Sequence, residues 1–129
     1  MVKKRLIFIV DDDPFINKLI VNKFTREGFE VRAFESGEGC IDNIGDNPGL
    51  IILDYFFTGS SELYPDGMVI FNKIRELKPE IPVIMLSGQE SGELVLEFAR
   101  KGIADYIIKD SNLTDNLSAA VSDVFAREG

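Results

Sequence analysis

Four apolar runs in this 129-residue chain end in side chains that do chemistry. Leu6-Ile7-Phe8-Ile9-Val10 runs into Asp11-Asp12-Asp13, and Leu50-Ile51-Ile52-Leu53 runs into Asp54. Val83-Ile84-Met85-Leu86 leads to Ser87-Gly88, and Ala104-Asp105-Tyr106-Ile107-Ile108 leads to Lys109. Acids, a hydroxyl and an ammonium are the equipment for holding a hard cation and handling a phosphoryl group. Two carboxylates ~4 Å apart repel by roughly 4 kcal/mol at an effective dielectric of about 20, and a divalent cation relieves that repulsion. The chain has no histidine and its single cysteine is not near these runs, so the donors are oxygens, which favours Mg²⁺ over Zn²⁺ or Cu²⁺. An aspartate the metal does not fully neutralise is a nucleophile for phosphorus, while the metal and Lys109 stabilise the charge of the transition state. Lysine suits a point-charge contact to phosphate.

For these groups to meet, the runs that carry them must lie side by side. Five stretches read as strands: Arg5 to Val10, Phe29 to Phe34, Leu50 to Leu53, Val83 to Leu86 and Ala104 to Ile108. Most are apolar throughout instead of alternating, as strands covered on both faces of a parallel sheet are. Helical patterns separate them. Phe15, Ile16, Leu19, Ile20 and Phe24 define the first, with Asp13 as N-cap, Pro14 at the first helical position and Gly28 ending it. A second follows Ser36 and holds Cys40, Ile41 and Ile44; a third holds Ile70, Phe71, Ile74 and Leu77. A fourth carries Leu94, Val95 and Phe98, and a fifth Leu117, Ala120, Val121, Val124 and Phe125. The order is (βα)₅, an α/β class that implies a parallel sheet wound with helices on both faces. Ligands of such sheets bind beyond the carboxyl ends of the strands, where the acids, Ser87 and Lys109 fall.

Composition narrows the function further. The length fits one domain, expected to span 1–129, with 45% hydrophobic and 28% charged residues as in ordinary globular chains. No stretch approaches the roughly 18 apolar residues of a membrane span, and the run after Arg5 is too short for a signal peptide, so a cytoplasmic protein is expected. The net charge of −8 argues against nucleic-acid binding by this domain alone, and Lys3-Lys4-Arg5 reads as a solvated terminus. Without histidine, the chain has no phosphohistidine of its own. Cys40 reads as a small buried hydrophobe. Gly37 and Gly39 follow a strand, but Asp42 stands where a dinucleotide loop needs its third glycine.

The segments Phe8-Ile9-Val10-Asp11-Asp12-Asp13, Ile51-Ile52-Leu53-Asp54, Asp66-Gly67, Val83-Ile84-Met85-Leu86-Ser87-Gly88 and Ala104-Asp105-Tyr106-Ile107-Ile108-Lys109 together resemble the response-regulator receiver family. The resemblance implies a flavodoxin-like, doubly wound five-stranded sheet in the order 2-1-3-4-5. It implies that Asp11 and Asp12 hold Mg²⁺ with Asp54 and the backbone carbonyl of Phe56, and that Asp54 is the phosphoacceptor. Ser87 is then the hydroxyl that follows the phosphoryl group, Lys109 the lysine that contacts it, and Tyr106 the aromatic whose rotamer reports the state. Phe56, Gly88 and Gln89 would govern access of water to the phosphoryl group. The implied partners are a sensor histidine kinase or phosphotransfer protein, a downstream effector or output domain, and a second copy of the chain. Such a domain catalyses only its own phosphorylation and dephosphorylation.

Two departures from the family pattern bear on this. Asp54 to Asp66 spans twelve residues, about five more than usual, with Thr58-Gly59-Ser60-Ser61-Glu62 inside, so this loop is expected to cover the phosphoryl pocket or to meet a partner. Asp110 follows Lys109 where the family commonly has a cis proline; a cis bond without proline costs about 2.5 to 4 kcal/mol, so a trans bond and a shifted turn are expected. These departures support one alternative, a degenerate receiver serving as a phosphorylation-independent binding module. A second alternative, a haloacid-dehalogenase-type phosphatase, rests on Asp11-Asp12-Asp13 but lacks the further acidic pair and cap such enzymes need.

Overall fold

The structure, a computed structural model, describes residues 4–57, 63–88 and 91–128. Five strands, β1 (Leu6–Val10), β2 (Glu30–Phe34), β3 (Leu50–Asp54), β4 (Val83–Ser87) and β5 (Asp105–Ile108), form one parallel sheet in the order β2-β1-β3-β4-β5. Between and after them run α1 (Pro14–Arg26), α2 (Gly37–Asp42), α3 (Gly67–Leu77), α4 (Gly92–Arg100) and α5 (Leu113–Glu128).

The unbroken apolar runs have the cause expected of them. Successive side chains of a strand point to opposite faces, and both faces are covered. Ile7, Ile9, Leu50 and Ile52 pack with Ile20 and Phe24 of α1 and Leu117 and Val121 of α5. Phe8, Val10, Ile51 and Leu53 pack with Cys40, Ile70, Phe71 and Phe98 of α2, α3 and α4. The central strands β1, β3 and β4 are buried along almost their whole length, whereas the edge strands β2 and β5 are half exposed. Burial pushes the Cys40 thiol up to about 12, in keeping with its reading as a core residue.

Local signals set the helix ends. Asp13 caps α1 by accepting from the Phe15 amide at 2.9 Å, Pro14 stands in the first turn, and Gly28 leaves the helix with φ of 96°. The phase of α1 differs from its apolar pattern. The buried stripe is Asn17, Ile20 and Phe24, while Phe15 is 70% exposed and Leu19 37%. Spacings of three and four from Phe24 select Asn17, a polar residue, over its apolar neighbours. The second helix is shorter than expected: Ser36 caps it through the Gly39 amide, but it ends at Asp42, and Ile44 lies in a separate 3-10 turn (Ile44–Asp46). Asn43 turns back to donate to the Gly39 carbonyl, and Gly45 weakens any continuation. Among the described residues, no helix is long and apolar enough to cross a membrane.

Candidate functional site

The sheet brings the chemical groups to one rim. Asp11 follows β1 directly and donates its amide to the Phe34 carbonyl at 3.0 Å, extending the β1–β2 ladder by one bond. Asp54 is the last residue of β3, paired in register with Leu86 of β4. Lys109 follows β5 and donates its amide to the Ser87 carbonyl at 2.8 Å, which holds its side chain over the centre of the sheet. Its ammonium lies 2.7 Å from Asp11 Oδ2 and 2.9 Å from Asp54 Oδ1. The Lys109–Asp110 bond is trans, as expected, since the described residues contain no cis peptide. The ammonium still reaches both acids, which removes one of the two supports for a degenerate receiver.

Behind Asp54 the chain is drawn tight. Phe56 and Asp66 form an antiparallel bridge, the Gly67 amide donates to the Tyr55 carbonyl at 2.7 Å, and Asp66 caps α3 through the Val69 amide at 3.1 Å. A Cβ on Gly67 would stand 2.5 Å from the Asp54 carbonyl oxygen and 2.7 Å from Tyr55 Cα, so only glycine lets α3 start this close to the end of β3. Residues 58–62, on which the loop expectation rests, lie outside the described residues, as does Gln89.

Burial and charge oppose each other in this pocket. Asp54 is 3% exposed, and its pKa rises from 3.8 to about 6, first because burial disfavours the charged form and next because Asp11 is charged beside it, with Lys109 offsetting part of the rise. Burial likewise raises Asp11 against the pull of Lys109 and the Asp13 amide. Burial alone would lower Lys109, but the bonds and charges of Asp11 and Asp54 outweigh it and leave the ammonium raised. One ammonium is thus shared by buried acids whose negative charge it does not fully balance.

The same residues suit a hard divalent cation. Asp11, Asp12 and Asp54 each offer a carboxylate oxygen within 4.8 Å of the others. Asp11 Oδ2 is buried, and among the described residues the Lys109 ammonium at 2.7 Å is the partner recorded for it. An all-oxygen set with room for water is what Mg²⁺ takes.

The remaining expected residues are placed less tightly. Ser87 is fully buried at the end of β4, one position beyond the register partner of Asp54, and the cap of α4 is Ser91. Tyr106 is half buried on β5, its ring 6.2 Å from that of Phe98 in α4. Gly88 is exposed with open space where a Cβ would be, so no contact among the described residues demands glycine there. The Phe56 ring, 51% exposed, stands edge-on to Tyr55 at 4.9 Å. Asp13 is occupied as a helix cap.

Comparison with known proteins gives the family. The sequence profile of the response regulator receiver domain matches residues 7–122. The chain belongs to the response regulator receiver domain family. The nitrogen assimilation regulatory protein NtrX of Azorhizobium caulinodans is 34% identical over 107 residues, which are 82% of this chain and 23% of that protein. The C4-dicarboxylate transport transcriptional regulatory protein DctD of Rhizobium meliloti is 28% identical over 80% of this chain and 22% of its own length. The chain therefore spans about a quarter of the length of these curated relatives. Among solved structures, the receiver domain of NtrX from Brucella abortus superimposes with a TM-score of 0.81 at 30% identity, covering 92% of this chain and 96% of that one. The BeF3-activated receiver domain of DrrB, from Thermotoga maritima, gives a TM-score of 0.78 at 28% identity over 96% of this chain and 99% of that one. Receiver domains belong to two-component signalling systems, and the family membership supplants the phosphatase alternative.

Proposed function

We propose that Asp54 is the phosphoacceptor of a two-component relay. It takes a phosphoryl group from a sensor histidine kinase or phosphotransfer protein and so alters the face formed by α4, β5 and α5. A downstream effector or an output segment reads that face. The observation that carries this reading is the convergence of Asp54 with Asp11, Asp12 and Lys109 from the ends of three strands. An Asp54 oxygen forms the new bond to phosphorus while the phosphorus–nitrogen bond of the donor histidine breaks and its electron pair leaves with the imidazole. Asp54 is ionised for this above about pH 6, and Lys109, raised in pKa, is a protonated point charge beside the incoming oxygens. Asp11, Asp12, Asp54 and the Phe56 carbonyl would hold Mg²⁺, which when bound neutralises the acids and stabilises charge on the transferred group.

The buried Ser87 hydroxyl follows the modified Asp54, and Tyr106, already half packed against Phe98, completes its turn inward. Phe56, Gly88 and Gln89 would govern access of water and so set the lifetime of the phosphoform. The chain catalyses only its own phosphorylation and dephosphorylation, acts in the cytoplasm as one domain over 1–129, and does not bind nucleic acid through this acidic domain. A second copy of the chain is a further candidate partner. Acetyl phosphate with Mg²⁺ should label the wild type and not Asp54→Asn. Equal labelling of the two, or none of either, refutes the assignment. A structural relative is described as BeF3-activated, so beryllofluoride with Mg²⁺ should shift the Tyr106 environment here.

A further inference from the structure

Asn17 lies directly beneath the acidic pair, and its contacts have a form that core packing does not explain. It is 5% exposed, in the second turn of α1, on the stripe otherwise made of Ile20 and Phe24. Its Nδ2 donates to the carbonyl oxygen of Asp11 at 2.7 Å and lies 3.5 Å from that of Phe34, the same carbonyl that receives the Asp11 amide. Both neighbours are acceptors, so the orientation of the amide is fixed by chemistry. Its own Oδ1 is buried and finds no hydrogen-bond partner among the described residues. A buried, unsatisfied acceptor is costly, and an apolar side chain at this depth would avoid the cost. The position therefore keeps a donor at the expense of stability.

That donor grips one particular peptide. The Asp11 carbonyl belongs to the peptide unit that joins Asp11 to Asp12, and a peptide plane held at its oxygen fixes the direction in which the next Cα–Cβ bond leaves. The flanks are fixed as well: the Asp11 amide is tied to Phe34, and the Asp13 amide donates to Asp11 Oδ1 at 2.9 Å. Among the described contacts, Asn17 is the side chain that holds this peptide. We infer that Asn17 is a positioning residue for the cation site, clamping the Asp11–Asp12 peptide so that both carboxylates face one point. The inference rests on the reading that Asp11, Asp12 and Asp54 hold Mg²⁺.

The test is a calorimetric titration of the metal-free 129-residue chain with MgCl₂ alone, beside thermal melts without metal. The variants are Asn17→Ala and Asn17→Ser, with Ile20→Val as a control that loosens α1 without touching Asp11, and Asp12→Asn as a control for the site itself. The expected result is a Mg²⁺ dissociation constant raised about tenfold in Asn17→Ala, within the 10–100-fold typical of groups that orient metal ligands, and unchanged in Ile20→Val at a similar loss of Tm. In acetyl phosphate labelling, the Asn17 variants should need more Mg²⁺ for half-maximal rate yet reach the wild-type maximum. A dissociation constant within twofold of wild type in a folded Asn17 variant overturns the inference, as does failure of both variants to fold, since the role would then be structural. If the wild type takes no Mg²⁺, or Asp12→Asn takes it equally well, the metal assignment itself has failed.

Discussion

Replacing Asp54 with Asn should make the metal-free protein more stable, although it removes an ion pair with Lys109. The pKa of Asp54 rises from 3.8 to about 6, and each tenfold in a proton equilibrium is worth about 1.4 kcal/mol, so keeping this carboxylate ionised in the folded state costs about 3 kcal/mol. That figure already includes the attraction of Lys109, and Asn keeps an oxygen that can accept from the ammonium. Allowing for relaxation of the pocket, Asp54→Asn should gain about 1 to 3 kcal/mol at pH 7.5, which for a chain of this size is roughly 4 to 12 °C in Tm. The pH dependence follows from the sign. A carboxylate whose folded pKa is raised favours folding fully below its unfolded value, near 3.8, and this contribution is lost as pH rises through about 6. The advantage of Asp54→Asn should therefore be largest above pH 7 and vanish toward pH 4. Added Mg²⁺ should narrow the gap, because ten times its dissociation constant stabilises the wild type by about 1.4 kcal/mol and the variant by less. Differential scanning fluorimetry across pH, with and without Mg²⁺, checks all of this. A variant less stable than wild type at pH 7.5 without metal, or an advantage that does not change between pH 4 and 7.5, refutes the claim that the acids oppose one another in the fold.

Three further outcomes follow from the site and its walls. Lys109→Ala should slow acetyl phosphate labelling by about a hundredfold at saturating Mg²⁺, because a point charge beside the transferred oxygens is lost; a loss below threefold would remove Lys109 from the chemistry. The phosphoform of the wild type should last minutes or longer, and Phe56→Ala should shorten it severalfold by admitting water; loss of label from the wild type within seconds contradicts this. Gly67→Ala should destabilise the fold by about 2 kcal/mol by driving α3 away from the end of β3, and a melt unchanged within 1 °C would show that the close approach is not required.

How far the sequence disclosed this arrangement depends on which physical signal each part leaves. The strands were legible because burial on both faces forbids polar residues, and β1, β3 and β4 show that pattern without interruption. Asp11, Asp54 and Lys109 were legible because a charge at the end of a fully buried run is costly to desolvate unless opposite charges or a cation meet it there. The phase of α1 was not legible. Counting apolar residues favours Phe15 and Leu19, yet the buried stripe runs through Asn17, whose amide donates to the strand-end carbonyl of Asp11. The available signal was a polar residue three and seven positions before the buried Ile20 and Phe24. The early end of α2 had its signal in Asn43 and Gly45, which favour a cap and a break over another turn.

The backbone explains why the acids stay close together. The sheet offers a rigid floor, since the Asp11, Asp54 and Lys109 backbones are held by ladder bonds and cannot retreat from one another. A flexible floor would relax the repulsion between the acids and with it the drive to take up positive charge or to neutralise Asp54. The rigid one keeps the ionised Asp54 about 3 kcal/mol less favourable than an exposed carboxylate, which favours its neutralisation. Lys109 connects this site to its surroundings, because its amide is fixed to Ser87 of β4 while it stands at the end of β5, three residues after the half-buried Tyr106. Under the proposed function, a change in charge at Asp54 pulls first on the junction of β4 and β5, next to the face carrying α4, β5 and α5.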